Sequence, residues 1–123
     1  MLTVYGFDVD ETLEVGRPPG PIKIIEMLRL RKEGHHVGII GNWHQFVKSV
    51  SNWGDYCDFL TPIVSNGQGK VPYLDALRNG IPADDHCLVG NIGGVTGMTY
   101  EDKDAKEAGW RFISETDFAN GAR

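Results

Sequence analysis

The sequence predicts an α/β fold, of the three-layer Rossmann-like type with a five-stranded parallel sheet. Short apolar runs alternate with stretches of helical periodicity along the whole chain. Short apolar strands separated by helices are typical of a parallel sheet that is covered on both faces. The length of 123 residues is about that of one domain. We therefore expect a single domain over residues 1–123, without linker or repeat.

The first half of the chain contains two predicted strands and two predicted helices. Residues 2–7 are apolar and rich in β-formers, and the run ends at Asp8. Pro21 suits the first helical position, and Gly34 suits the end of that helix. Residues 37–40 form a second apolar run. Large apolar residues then recur at helical spacing from Trp43 to Trp53, which predicts a second helix.

The second half repeats the pattern and ends in a polar tail. Residues 59–64 predict a strand at the sheet edge, because Pro62 cannot donate to a ladder. A third helix is predicted from Pro72 to Gly80, and Thr99 with Asp102 is a capping pair for a fourth helix. The remaining predicted segments are a fourth strand at 87–89, the end of the fourth helix at Gly109, a fifth strand at 110–113 and the tail at 115–123.

Composition and charge exclude several classes of function. Hydrophobic residues make up 41% and charged residues 24% of the chain, which is ordinary for a globular protein. The net charge of −5 argues against binding to duplex nucleic acid, which requires a basic surface. No apolar run is long enough to span a membrane, and no signal peptide is recognisable. Cys57 and Cys87 are isolated, so we expect free thiols and a cytoplasmic location.

Polar residues follow the predicted strands, at the ends where such sheets bind ligands. Asp8 and Asp10 follow the first strand, Gly41 and Asn42 the second, Lys70 comes after the third, and Asn91 and Glu101 come after the fourth. An oxygen-only set of carboxylate, carbonyl and amide groups suits Mg²⁺ rather than zinc. A lysine at the same edge makes sense where a phosphate group lies between the lysine and the metal. This set of residues therefore indicates phosphoryl transfer.

The motifs resemble those of the haloacid dehalogenase superfamily of aspartyl-phosphate-forming hydrolases, over residues 4–113. VYGFDVDETL resembles the family's first motif, GKVPYLDAL its third, and HCLVGN followed by DAKEAGWRFI its fourth. The resemblance implies an Mg²⁺-dependent phosphomonoester hydrolase with Asp8 as nucleophile and metal ligand. Asp10 would be the proton shuttle, its backbone carbonyl would reach the metal, and Lys70 would hold the nucleophile and the phosphoryl oxygens.

Two positions depart from the family pattern. The second motif has Gly41 where the family has a threonine or serine, so that backbone groups and Asn42 are left to contact the phosphate. The fourth motif has Asn91 where the family has an aspartate, which keeps an oxygen for the metal but removes a negative charge. Glu101 holds the spacing of the family's second acidic metal ligand, and Asp102 is the adjacent alternative.

The resemblance also bears on the substrate, because family members commonly carry a lid domain after the first or the third strand. The gaps at 13–21 and 65–69 are too short for one, which predicts no cap domain and an open site. An open site suits a large phosphorylated substrate of unknown class, or a homo-oligomer in which a neighbouring copy covers it. The alternative function is a binding or regulatory protein with this fold and a degenerate site, for which Gly41 and Asn91 are the evidence. A phospho-receiver domain is disfavoured because residues 64–66 lack an acid.

Overall fold

The computed structural model describes residues 1–62, 69–91 and 101–123 of the chain. The strands in these residues are β1 (Thr3–Phe7), β2 (His36–Gly41), β3 (Phe59–Pro62), β4 (Asp85–Gly90) and β5 (Arg111–Ser114). The helices are α1 (Ile25–Lys32), α2 (Trp43–Ser49), α3 (Val71–Gly80), α4 (Glu101–Glu107) and α5 (Glu115–Ala119), with a short 3-10 helix at Trp53–Asp55. The five strands form one all-parallel sheet in the order β3-β2-β1-β4-β5. The predicted fold class is confirmed.

Alternating side chains on the strands build a core on each face of the sheet. Tyr5 and Phe7 of β1 belong to one core, which α1, α2 and α5 cover with residues such as Met27. Val4 belongs to the other core, which α3 and α4 cover with residues such as Leu74. Successive side chains of a strand point to opposite faces, so a continuous apolar run supplies both cores. The result is a sheet layer between two helical layers.

The edge position of β3 agrees with the prediction from Pro62. β3 pairs with β2, with Gly41 opposite Pro62, and lies at the end of the sheet order. Residues 63 and 64, which the sequence assigned to the same strand, lie outside the described residues.

The start of α1 differs from the sequence prediction. The helix begins at Ile25, and Pro21 precedes it in an irregular segment. Ile22 pairs with Leu13 in an isolated parallel bridge. The Glu14 carboxylate also accepts the Ile24 N–H at 2.7 Å. These contacts hold residues 21–24 against the preceding loop, which delays the helix.

Two further predictions about helices were wrong. The second helix ends at Ser49, and Trp53 belongs to the separate 3-10 helix. The tail contains α5, in which the Ser114 hydroxyl accepts the Asp117 N–H at 3.1 Å as a helix cap. Phe118 of α5 is only 1% exposed and packs on β1. Thr99, the predicted cap of the fourth helix, lies outside the described residues.

The described residues contain no cap domain, and the two undescribed segments, 63–68 and 92–100, are short. The loop after β1 folds back on itself, with the Glu14 N–H donating to the Ile22 carbonyl at 2.8 Å. Within the described ranges, no helix is long and apolar enough to cross a membrane. Cys57 and Cys87 are both free, as the sequence predicted, and both are buried.

Candidate functional site

The candidate site lies where the carboxyl ends of β2, β1 and β4 meet. The chain builds the sheet outward from β1 to β3 and then returns to place β4 on the other side of β1. Ligands of open parallel sheets bind in the crevice at such a reversal of strand order. Asp8, Asn42 and Asn91 are the residues that directly follow these three strands. The topology therefore brings together the residues that the sequence analysis singled out.

A buried group of three charged side chains forms the centre of the site, and we call it the Asp8–Lys70–Glu101 cluster. The Lys70 ammonium donates to Asp8 Oδ1 at 3.0 Å and also to Glu101 Oε1. Lys70 is 2% exposed, Glu101 1% and Asp8 7%. One cation therefore serves two carboxyl groups that are nearly removed from water.

Backbone contacts hold Lys70 in place at the start of α3. Its N–H donates to Asp104 Oδ2 at 3.0 Å. The preceding Gly69 has φ +64°, a left-handed conformation that favours glycine. A Cβ on Gly69 would also lie 2.6 Å from the Asp104 carboxylate. The glycine therefore allows the chain to turn beside this carboxylate and direct Lys70 into the site.

Glu101, the first residue of α4, is held by the end of β4. The Asn91 N–H donates to Glu101 Oε2 at 2.7 Å. A Cβ on Gly90 would lie 2.0 Å from the same oxygen. Only glycine leaves room for the buried carboxylate at this point of the strand. The structure thus places Glu101 in the cluster, whereas the neighbouring Asp102 is partly exposed on α4.

The environment of the cluster shifts two pKa values. Burial raises the pKa of Glu101 to about 7, while Lys70 lowers it and Asp8 raises it. Burial lowers the pKa of Lys70, but the attraction of Asp8 and Glu101 is larger, so that the pKa is raised overall. The lysine therefore stays charged at neutral pH, and the cluster has one more acidic group than it has cations.

Asp10 lies at the edge of the site and is held by two donors. Its Oδ1 accepts the Arg17 N–H at 3.0 Å, and its Oδ2 accepts from Asn42 Nδ2 at 3.1 Å. The Asn42 side-chain oxygen in turn caps α2 by accepting the Gln45 N–H at 3.3 Å. Asn42, predicted as a phosphate contact, therefore orients the Asp10 carboxyl in this structure.

Gly41 lies beside Asp8, the predicted nucleophile. A Cβ at Gly41 would lie 2.6 Å from Asp8 Oδ1, closer than carbon and oxygen can approach. The other carboxylate oxygen of Asp8 accepts from the Thr12 hydroxyl at 3.3 Å. A larger residue at position 41 would force the Asp8 carboxyl away from its present partners. The glycine is therefore required by the position of Asp8.

Asn91 joins the end of β4 to the loop after β1. Its Nδ2 donates to the Asp10 carbonyl oxygen at 3.0 Å and to Glu11 Oε2 at 3.3 Å. Asn91 is 5% exposed. Two oxygens thus converge on one buried amide group, and one of them, the Asp10 carbonyl oxygen, is the one that the family resemblance assigns to the metal.

The donor set fits Mg²⁺ by its chemistry. Mg²⁺ prefers oxygen ligands and usually takes one or two carboxylates, with water completing its shell. The Asp8 carboxylate, the Asp10 carbonyl and the Asn91 amide are oxygen donors of this kind. In the described parts of the chain no three His, Cys, Asp or Glu side chains are grouped as metal ligands. A cation here would therefore depend on carbonyl and amide oxygens as well as on carboxylates.

Three further residues complete the site, and all three stand within motifs that the sequence analysis quoted without giving them a role. Thr12 was part of the first motif and supplies a hydroxyl to Asp8, so the motif itself was the signal for it. Asp104 holds the Lys70 backbone, and Glu11 binds Asn91. Glu11 and Asp104 stand in the first and fourth motifs, but their partners could not be predicted because each contact joins separate segments of the chain.

An open cleft of about 300 Å³ lies at the opposite end of β4. Its lining residues are Arg78, Pro82, Ala83, Asp84, Asp85, His86 and Gly109. Asp85 pairs with Arg111, and His86 Nε2 lies 2.9 Å from the Ile81 carbonyl oxygen. These groups serve the fold, and the cleft is remote from the Asp8–Lys70–Glu101 cluster.

Comparison with known proteins gives no match, whether with models of protein families, with curated proteins or with solved structures. The fold and the side-chain geometry are therefore the basis for inferring the function.

Proposed function

We propose that the protein is an Mg²⁺-dependent phosphomonoester hydrolase that acts through an aspartyl-phosphate intermediate. The observation that carries the proposal is the 3.0 Å contact between Asp8 and Lys70, at the reversal of strand order in a parallel sheet. A buried carboxylate with a fixed cation beside it suits attack on a phosphate group, where neutralising charge is the main task. The resemblance of the first motif to the haloacid dehalogenase superfamily supports the same reaction.

In the first proposed step, an Asp8 carboxylate oxygen forms a bond to phosphorus while the ester P–O bond breaks. The Asp10 carboxylic acid gives its proton to the leaving oxygen, so the alcohol departs neutral. The Lys70 ammonium stabilises the negative charge on the phosphoryl oxygens. Asn42 and the Arg17 N–H hold the Asp10 carboxyl at the mouth of the site, which fixes the direction of proton transfer.

In the second proposed step, water attacks phosphorus and the bond to Asp8 breaks. The Asp10 carboxylate, left ionised by the first step, takes a proton from this water. Inorganic phosphate leaves, Asp8 is again a carboxylate and Asp10 again carries its proton. The two steps together consume one water molecule and release the alcohol and inorganic phosphate.

The Asp8 carboxylate, the Asp10 carbonyl and the Asn91 amide are the groups that would hold Mg²⁺, with Glu101 next to them. When bound, Mg²⁺ supplies positive charge that offsets the repulsion between Asp8 and the phosphate. The Lys70 contact occupies one carboxylate oxygen of Glu101 and the Asn91 N–H the other. Glu101 therefore suits the role of holding Lys70 better than that of binding the metal directly.

The substrate is proposed to be large, because the rim of the site has no cover in the described residues. Asn42, Trp43 and His44 are exposed beside Asp10. A phosphate on a macromolecule can reach such a rim, and the rest of the macromolecule then excludes water. Covering of the rim by a second copy of the chain is the alternative.

The test compares hydrolysis of p-nitrophenyl phosphate by the wild type and by Asp8→Asn, with Mg²⁺ and with EDTA. We expect Asp8→Asn and EDTA each to abolish turnover, and Asp10→Asn to lower kcat by about 10²–10⁴-fold. Asp75→Asn is the matched control, since it makes the same change at an exposed position of α3. Equal turnover by the wild type and Asp8→Asn would overturn the proposal.

The second candidate is a binding or regulatory protein whose site has lost activity. One observation favours it: in the described part of the chain, every buried side-chain nitrogen or oxygen has a hydrogen-bond partner. The site is therefore satisfied without a ligand. Titration calorimetry with MgCl₂ separates the two candidates, because absence of Mg²⁺ binding at millimolar concentration favours the binding or regulatory protein.

A further inference from the structure

Glu11 has a backbone conformation that is costly for its residue type. Its φ is +64°, and among the described residues it is the one non-glycine residue with a positive φ. The left-handed conformation costs a residue with a Cβ roughly 1–2 kcal/mol. The Glu11 N–H donates to the Pro18 carbonyl, which fixes this conformation within the loop after β1. A costly conformation of this kind, at a residue whose side chain reaches the site, points to a role for that side chain there.

The side chain of Glu11 reaches the end of β4. Its Oε2 accepts from Asn91 Nδ2 at 3.3 Å, and the same nitrogen donates to the Asp10 carbonyl at 3.0 Å. Asn91 is buried and Glu11 is half-buried. Because the amide nitrogen is held by two oxygens, the side on which the Asn91 carbonyl oxygen lies is fixed. The Asp10 carbonyl has two lone pairs, so it can accept this hydrogen bond and still bind a cation.

The contact between Glu11 and Asn91 adds a negative charge next to the proposed cation site. Asn91 is neutral, although it directly follows β4 at the proposed cation site. Glu11 places a carboxylate directly on that amide. Asparagine and glutamate together carry the single negative charge that an aspartate at position 91 would carry alone. Attraction for a cation is long-ranged enough at this depth that the carboxylate need not touch the ion.

We propose that Glu11 is a positioning residue for the divalent cation of this site. Through Asn91 it supplies the negative charge that an amide lacks, and it orients the amide whose oxygen faces the cation. This inference rests on the proposed Mg²⁺-dependent function. Residues next to metal ligands that orient them typically change metal affinity by about 10–100-fold when replaced.

The experiment measures the affinity for MgCl₂ alone by titration calorimetry, for the wild type, Glu11→Gln, Asn91→Asp and the double variant. Glu11→Gln keeps the size and an acceptor oxygen but removes the charge, so we expect its affinity to fall by about 10-fold or more. The double variant moves the charge from position 11 to position 91, and we expect its affinity to return to within about threefold of the wild type. Glu33→Gln makes the same change at an exposed position and is the matched control.

Thermal unfolding without metal distinguishes positioning from a role in the fold. If Glu11 only positions the cation, Glu11→Gln should unfold at a temperature no lower than the wild type, because the substitution removes one negative charge from an acidic site. If the wild type binds Mg²⁺ and Glu11→Gln binds it equally well, the role of Glu11 is refuted and the proposed function stands. If the double variant binds Mg²⁺ as weakly as Glu11→Gln, the claim that Glu11 supplies the charge that Asn91 lacks is likewise refuted. If the wild type itself does not bind Mg²⁺, both proposals fail.

Discussion

Replacing Glu101 with glutamine should remove a pH dependence from the stability of the metal-free protein. Burial raises the pKa of this carboxyl to about 7 from an ordinary value of 4.5, against the attraction of Lys70. A group that binds its proton more tightly in the folded state stabilises the fold fully below pH 4.5, and this contribution is lost as the pH rises to about 7. At about 1.4 kcal/mol per pKa unit, the loss is on the order of 3 kcal/mol. Glutamine does not titrate, so the stability of the variant should not fall with pH in this way.

The assay is urea unfolding in EDTA at a series of pH values between about 4.5 and 8, which spans the pKa shift of Glu101. The free energy of unfolding of Glu101→Gln, relative to the wild type, should rise by about 3 kcal/mol across this range. Any constant offset, such as the loss of an acceptor for the Asn91 N–H, cancels in that comparison. Glu107→Gln makes the same change at an exposed position of α4 and should run parallel to the wild type. A difference between wild type and Glu101→Gln that stays constant with pH would refute the reasoning.

Three further substitutions test the packing around the site and at the end of the chain, all by urea unfolding at neutral pH. Lys70→Met removes the cation between two buried carboxyl groups and should cost about 3–5 kcal/mol; a cost below about 1 kcal/mol would contradict the cluster. Gly90→Ala places a Cβ 2.0 Å from a Glu101 carboxylate oxygen and should cost about 1–3 kcal/mol, whereas Gly80→Ala, with no atom within 4 Å, should change stability by less than about 0.5 kcal/mol. Phe118→Ala should cost about 3–5 kcal/mol because the ring is 1% exposed, and a neutral result would show that α5 is not part of the core.

The sequence predicted the sheet well because buried parallel strands are uniform apolar runs. Residues 2–7 and 37–40 stand out in this way, and the observed strands differ from them by only one residue at some ends. The ends of helices were harder, because tertiary contacts decide them. Ile22 looks helical by spacing, but its pairing with Leu13 keeps it extended. α5 was missed because a helix of five residues with a single buried aromatic ring leaves no periodic pattern.

The candidate site was predictable where each residue directly follows a strand. Asp8 and Asn91 are placed by the sheet itself, so the topology alone puts them at one edge. Predicting the position of Glu101 required knowing where α4 begins, because its contact with Lys70 joins residues far apart in the chain. The contact between Glu11 and Asn91 depends on a positive φ, which sequence patterns do not indicate for glutamate.

The Asp8–Lys70–Glu101 cluster has a consequence for how the protein matures during synthesis. Asp8 emerges from the ribosome first, Lys70 much later, and Glu101 only with the last fifth of the chain. Before α4 is made, Lys70 has one of its two carboxyl partners, and the Asn91 N–H has no Glu101 to bind. The Asp8–Lys70–Glu101 cluster therefore cannot be complete before α4 has been made, when only β5 and α5 remain to be added. Any chemistry that depended on all three charged groups would therefore begin only after most of the chain had been synthesised.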